Sequence, residues 1–160
     1  MLEEDEGFRV VGIDDVLGGI TAPEGTLGTH VPDAKAERDI RRGVEVVRAL
    51  GAADVGQAAI VQDGIVLGVE AVEGTDALLQ RCIGLRREGP GGVLVKLSKP
   101  GQEKRADLPT IGTDTVARAK EAGLRGIAIE AGLTLVIASD AVIEAADAAG
   151  LFVIGLSASS

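Results

Sequence analysis

The sequence predicts an α/β domain: a single mixed sheet built from two α-β-β-α-β units, with helices packed against it. Three observations carry this. Short apolar runs alternate with stretches of helical period. Asp63-Gly64 separates two apolar runs and tolerates the positive φ angles of a tight hairpin turn. The order helix, strand, strand, helix, strand occurs twice, with Gly64 and Gly132 at matching turn positions.

In the first unit, Ile40, Val44, Val47 and Leu50 recur at helical spacing and Gly51 follows as a stop, which predicts an amphipathic helix from Asp33 to Leu50. Strands Ala58 to Gln62 and Ile65 to Glu70 form the hairpin. Glu73-Gly74-Thr75-Asp76 opens a second helix, with Thr75 as N-cap, that runs to about Arg87. Strand Gly92 to Val95 closes the unit. The second unit reads as helix Thr113 to Ala122, strand Arg125 to Glu130, a turn at Ala131-Gly132, strand Leu133 to Ala138, helix Asp140 to Ala149 and strand Leu151 to Gly155. A second hairpin at Gly132 and a pseudo-two-fold axis between the halves follow as expectations. Residues 1 to 32, with a short apolar run at Phe8 to Gly12 and then Pro23, Gly25, Gly28 and Pro32, read as a lead-in and linker to a domain spanning residues 33 to 157.

Composition narrows function. At 160 residues and 46% apolar content the chain can bury one core without disulfides or metals. A net charge of -9, with two phenylalanines and no Trp or Tyr, argues against nucleic-acid binding, which needs cationic contacts and stacking platforms. The acidic start and the lack of a long apolar run predict a cytoplasmic protein. The lone cysteine, Cys82, shares a helical face with Leu78 and Leu79 and reads as core. His30 has no second histidine or serine nucleophile beside it, so neither a triad nor a zinc site is expected.

Chemistry concentrates where the strand ending at Val95 delivers a basic loop. Between Lys96 and Arg105 four cations face one acid, Glu103, in an otherwise acidic chain. Such a loop beyond a strand's C-terminal end suits a bound anion, because open α/β sheets place ligands there. Lys96 and Lys99 are candidates to neutralise phosphate, and the backbone N–H groups of Thr110 and Gly112, just ahead of a helix, can cradle it. Asp107 is followed by Leu108-Pro109, and the proline restrains it to extended geometry, which suits a Mg²⁺ ligand or a water-orienting carboxylate. Glu73, just before a helix start, is a candidate ligand for a metal or a sugar hydroxyl.

The run Gly91-Gly92-Val93-Leu94-Val95-Lys96, then Lys99-Pro100-Gly101-Gln102, then Arg105-Ala106-Asp107-Leu108-Pro109-Thr110-Ile111-Gly112, resembles the C-terminal domain of the LpxI-type UDP-2,3-diacylglucosamine pyrophosphatases of lipid A biosynthesis. The likeness extends over Gly7 to Gly12, Ala22 to Gly25, Asp54 to Gln57 and Val69 to Asp76.

The resemblance implies a Mg²⁺-dependent hydrolase that splits UDP-2,3-diacylglucosamine into UMP and 2,3-diacylglucosamine 1-phosphate (lipid X), by water attack at the sugar-proximal phosphorus. It implies peripheral work at the inner face of the cytoplasmic membrane. Asp107 would be the essential carboxylate, with Gln57, Glu73, Thr75, Asp76, Gln102 and Thr110 lining the glucosamine phosphate. Members of the family begin with a further Rossmann-like domain, so this chain is expected to correspond to the C-terminal half, with residues 1 to 32 as the remnant of the junction. A homodimer is expected from its apolar helices and from faces the other domain would cover. The rival expectation is a non-catalytic module that binds a phosphosugar or lipid X.

Overall fold

A computed structural model describes residues 19 to 100 and 108 to 157. Its elements are β1 (Gly19–Thr21), β2 (Gly25–Leu27), α1 (Ala34–Ala52), β3 (Ala58–Gln62), β4 (Ile65–Val69), α2 (Thr75–Cys82) with a 3-10 turn at Ile83–Leu85, β5 (Val93–Lys96), β6 (Thr110–Ile111), α3 (Thr113–Glu121), β7 (Gly126–Glu130), β8 (Leu135–Ile137), α4 (Ser139–Ala149) and β9 (Phe152–Leu156).

Six strands form the main sheet in the order β2-β9-β7-β5-β3-β4, with β5, β7 and β9 parallel and the remaining pairings antiparallel. Strand alternation divides the core in two, because successive side chains leave a strand on opposite faces. Val93 and Val95 meet Ile40, Val44 and Val47 of α1 on one face. Leu94, Ile127 and Ile129 meet Leu78 and Leu79 of α2, Val116 of α3 and Val142 of α4 on the other. Cys82 belongs to this second cluster and is 1% exposed. Helix α1 lies close to the sheet because residue 43 is glycine: a Cβ there would stand 2.4 Å from Val95 Cγ2. The hairpin turn has Asp63 at φ 55° and Gly64 at φ 77°, as its sequence predicts. Buried Asp39 of α1 fastens it by accepting from both backbone N–H groups, at 3.1 and 2.8 Å.

The α/β class, the packed helices and the repeated element order agree with the sequence reading. Several finer expectations do not. A second, three-stranded sheet exists, in the order β1-β8-β6. The hairpin expected at Gly132 is absent, since β8 pairs with β1 and β6 and never with β7. The reason is occupancy: β7 carries β5 on one side and β9 on the other, so neither edge is open to β8. Gly132 still turns the chain, at φ 78°, but its N–H goes to Ala22 O at 2.8 Å. The halves also differ in topology, since β3 and β5 are antiparallel whereas β7 and β9 are parallel, so no pseudo-two-fold relates them. The stretch read as linker supplies β1 and β2, one to each sheet. Helix α2 stops at Cys82 rather than near Arg87. The strand expected at Phe8 to Gly12 lies outside the described residues.

Candidate functional site

One cleft of about 600 Å³ is lined by Glu73, Gly74, Thr75 and Asp76, by Lys96, by Thr110 through Thr115, and by Ile137 and Ala138. The topology explains the gathering. Lys96 is the last residue of β5, and β6 and β8 are parallel neighbours whose ends run directly into α3 and α4. The cleft therefore lies at the C-terminal ends of strands from both sheets, with the first turn of α2 as a further wall.

The N-termini of three helices face it, and none carries a side-chain cap. The N-cap residues are Gly74, Gly112 and Ala138, which have no side-chain oxygen. The first N–H groups of a helix have no carbonyl of their own helix to bond, and together they carry a partial positive charge. Ala138 is held at φ 54°, in the left-handed region, which is unusual for a residue whose side chain offers no compensating hydrogen bond. At Gly112 the N–H donates to Thr115 Oγ1 at 3.1 Å and the carbonyl accepts from Thr115 N at 3.0 Å, which leaves the earlier N–H groups of α3 open.

Lys96 brings the cation. It is 9% exposed, and its Nζ donates to the Thr110 carbonyl at 3.0 Å, joining the two sheets. Burial holds its ammonium below the ordinary lysine range, an effect that Glu70 and Asp76 oppose. Carboxylates share the rim. Glu73 accepts from Arg81 Nη2 at 2.6 Å and from Ala71 N at 2.9 Å, and the Arg81 bond holds its carboxyl below the usual range. Asp76 pairs with Arg118 at 3.5 Å, tying the first turn of α2 to the last turn of α3. Asp114 is exposed on the rim.

The cleft thus unites Lys96, Thr110, Gly112, Glu73, Thr75 and Asp76 of the residues singled out in the sequence. Lys99 goes elsewhere: its Nζ pairs with Asp54 at 3.2 Å and its backbone lies near Gly51 at the end of α1. Gln57 is also outside the lining, with its N–H donating to Glu70 Oε1 at 2.9 Å and its buried Oε1 accepting nothing among the described residues. Thr75 is not the N-cap but the first helical residue, and its hydroxyl donates to Glu70 Oε2 at 2.7 Å instead of capping α2. Gln102 and Asp107 lie outside the described residues. Ser98, two residues beyond β5, is held by buried Glu130, which accepts from Ser98 N at 3.1 Å and Ser98 Oγ at 2.8 Å.

Sequence reasoning missed Ala138, Thr113 and Asp114 in the lining. Alanine offers no chemical signal. A caplike aspartate after Gly-Thr could have pointed to residue 114.

Comparison with known proteins bears on this arrangement. The family model of the LpxI C-terminal domain matches residues 23–154. A curated relative, the UDP-2,3-diacylglucosamine pyrophosphatase LpxI of Caulobacter vibrioides, is 49% identical over 159 residues. The alignment takes in 96% of this chain but 57% of that protein's length.

Proposed function

The chain belongs to the family of LpxI C-terminal domains, and from that premise we propose that it forms the phosphate-gripping part of a UDP-2,3-diacylglucosamine pyrophosphatase. The reaction is hydrolysis of the phosphoanhydride to UMP and 2,3-diacylglucosamine 1-phosphate, with water attacking the sugar-proximal phosphorus. The observation that carries this reading is the convergence of three uncapped helix N-termini and the Lys96 ammonium on one cleft. Backbone donors and a cation are already oriented there, so they can stabilise charge on phosphoryl oxygens without reorganising.

Each residue then has a task. Lys96 holds a phosphoryl oxygen while its bond to Thr110 O keeps the ammonium at the cleft. The N–H groups that open α2 and α3 receive further oxygens, and Thr113 offers a hydroxyl. Asp107, the essential carboxylate that the resemblance implies, serves as Mg²⁺ ligand or orients the attacking water.

Mg²⁺ is part of the same proposal. Glu73, Asp76 and Asp114 line the cleft that would hold the phosphates, and their charges would repel a substrate anion. One hard divalent cation relieves that repulsion, and Mg²⁺ is commonly held by one or two carboxylates together with substrate phosphates rather than by a protein cage. Asp107 is the proposed ligand, and the ion when bound polarises a phosphoryl oxygen.

Among the described residues no helix is long and apolar enough to cross a membrane. A cytoplasmic location, peripheral contact with the inner face of the membrane, and a homodimer complete the proposal.

The test is release of UMP from UDP-2,3-diacylglucosamine with Mg²⁺, by this chain alone and with the remaining length of the relative supplied in trans. Asp107→Asn is expected to slow turnover at least about a thousandfold while substrate binding survives. Near-normal turnover in that variant overturns the assignment of Asp107. Binding of lipid X without turnover under every condition makes the chain a binding module instead.

A further inference from the structure

Glu70 follows the last residue of β4 and is 6% exposed, yet nothing in its hydrogen bonding calls for a charge. Oε1 accepts from Gln57 N at 2.9 Å and Oε2 accepts from Thr75 Oγ1 at 2.7 Å. A glutamine could serve both partners, its amide oxygen accepting from Gln57 N and its amide nitrogen donating to a rotated Thr75 hydroxyl. A buried carboxylate is costly to desolvate unless another group answers its charge.

The strand register identifies that group. Glu70 N donates to Ala58 O at 2.8 Å, and Ala58 is the cross-strand partner of Lys96. Glu70, Ala58 and Lys96 thus stand in a row across one end of the sheet. Ala58 packs into the cluster beneath α2, so Lys96, directly opposite it, leaves its strand on that face. Thr75 of α2, which bonds Glu70, lies over the same face. Adjacent strands are about 4.8 Å apart, which puts the two backbones about 10 Å apart, within joint reach of a glutamate and a lysine across a single methyl group.

We infer that Glu70 is a positioning residue whose buried carboxylate is the standing counter-ion of Lys96, keeping the ammonium charged and in place at the cleft between substrate visits. This rests on the reading of the cleft as a phosphate site and names what sustains its cation. Among the described residues, the other charged groups around Lys96 in the cleft are Asp76, tied to Arg118, Glu73, tied to Arg81, and Asp114. All three are exposed and screened by solvent, whereas Glu70 is not. Burial pulls Lys96 toward its neutral form, and Glu70 is the first of the two carboxylates opposing that pull.

The experiment is a pH titration of Lys96, read from its ¹³Cε resonance in lysine-labelled protein without ligand, in the wild type and in Glu70→Gln. The Lys96 midpoint is expected to fall by about one unit or more in the variant, equivalent to a tenfold or greater loss of preference for the charged form. Binding of inorganic pyrophosphate is expected to weaken at least tenfold above the new midpoint and to recover below it. An unchanged midpoint overturns the proposal, as does weakening of pyrophosphate equally at all pH, which is the pattern of a purely structural residue. Should Glu70→Gln not fold, Glu70→Asp keeps the charge on a shorter arm, and a midpoint there close to that of the wild type is expected; a fall of a unit or more despite the retained charge overturns the inference. A midpoint that falls in Glu70→Gln, in a protein whose wild type binds no pyrophosphate, upholds the counter-ion and sinks the phosphate cleft.

Discussion

Helix α1 and the helices around the cleft begin in opposite ways. At the start of α1, Asp33 Oδ1 accepts from Ala36 N at 2.8 Å and Oδ2 accepts from Arg125 Nη2 at 2.8 Å, so the helix end is closed by the protein itself. Helices α2, α3 and α4 begin at Gly74, Gly112 and Ala138, where no side chain closes them. Helix α1 follows the ordinary preference for a capping oxygen. The chain departs from that preference at the three helix starts that share a cleft with Lys96. Helix starts that no side chain closes, gathered beside a cation, are what the proposed phosphate cleft requires.

The largest effect is expected from Lys96→Met, which keeps the stem and removes the charge. A charge-assisted hydrogen bond is worth about 1.5–3 kcal/mol, so pyrophosphate binding should weaken by about ten- to a hundredfold, measured by calorimetry at neutral pH. Equal binding would mean that the helix starts alone hold the anion. Next comes Gly112→Asp, which turns an open start into a closed one. Residue 112 has φ -148°, an extended conformation open to any residue, and an added Cβ would meet only Ile137 Cβ at 3.9 Å. The variant should be more stable by a few tenths of a kcal/mol while binding pyrophosphate at least about tenfold more weakly, since the new carboxylate takes the donors. Tighter binding would refute the contrast drawn between the helix starts.

Ala138→Gly should relieve the left-handed backbone and raise stability by up to about 1 kcal/mol in urea denaturation, with binding unchanged. At the other pole, Asp33→Ala should lower the melting temperature and leave the cleft untouched. Its pH dependence has a definite sign. The hydrogen bond from Ala36 N and then Arg125 hold the Asp33 carboxyl below its ordinary value of 3.8. Its contribution is therefore complete above that value and is lost as pH falls through the lower folded-state value, so the difference between variant and wild type should vanish in strong acid. A difference that persists there would mean that Asp33 acts through something other than its charge.

The sequence was most legible where local rules decide. Asp33 before a helical apolar stripe located α1, and Asp63-Gly64 located the hairpin, because cap and turn chemistry reside in a few adjacent residues. The three-residue strands β1 and β2 are too short to show a period, so their segment passed for linker. Which edge β8 would find depended on β7 already being flanked on both sides, a fact about distant residues. The site divided in the same way. Lys96 stood out at a strand exit among basic neighbours. The place of Glu70 in line with Lys96 was not legible, since it depends on the register across β3. Thr75 carries the capping oxygen that local rules favour, yet Gly74, with φ 87°, holds the N-cap position.

Cys82 has a practical consequence. It is the chain's single thiol, buried among apolar side chains, and burial pushes its thiol away from the reactive thiolate. The protein therefore has a chemically silent background for alkylating reagents while it stays folded. A cysteine placed at exposed Thr113, at the opening of α3, would be the sole reactive thiol, made more acidic by the helix start beneath it. Its rate of labelling would report directly whether the cleft is filled.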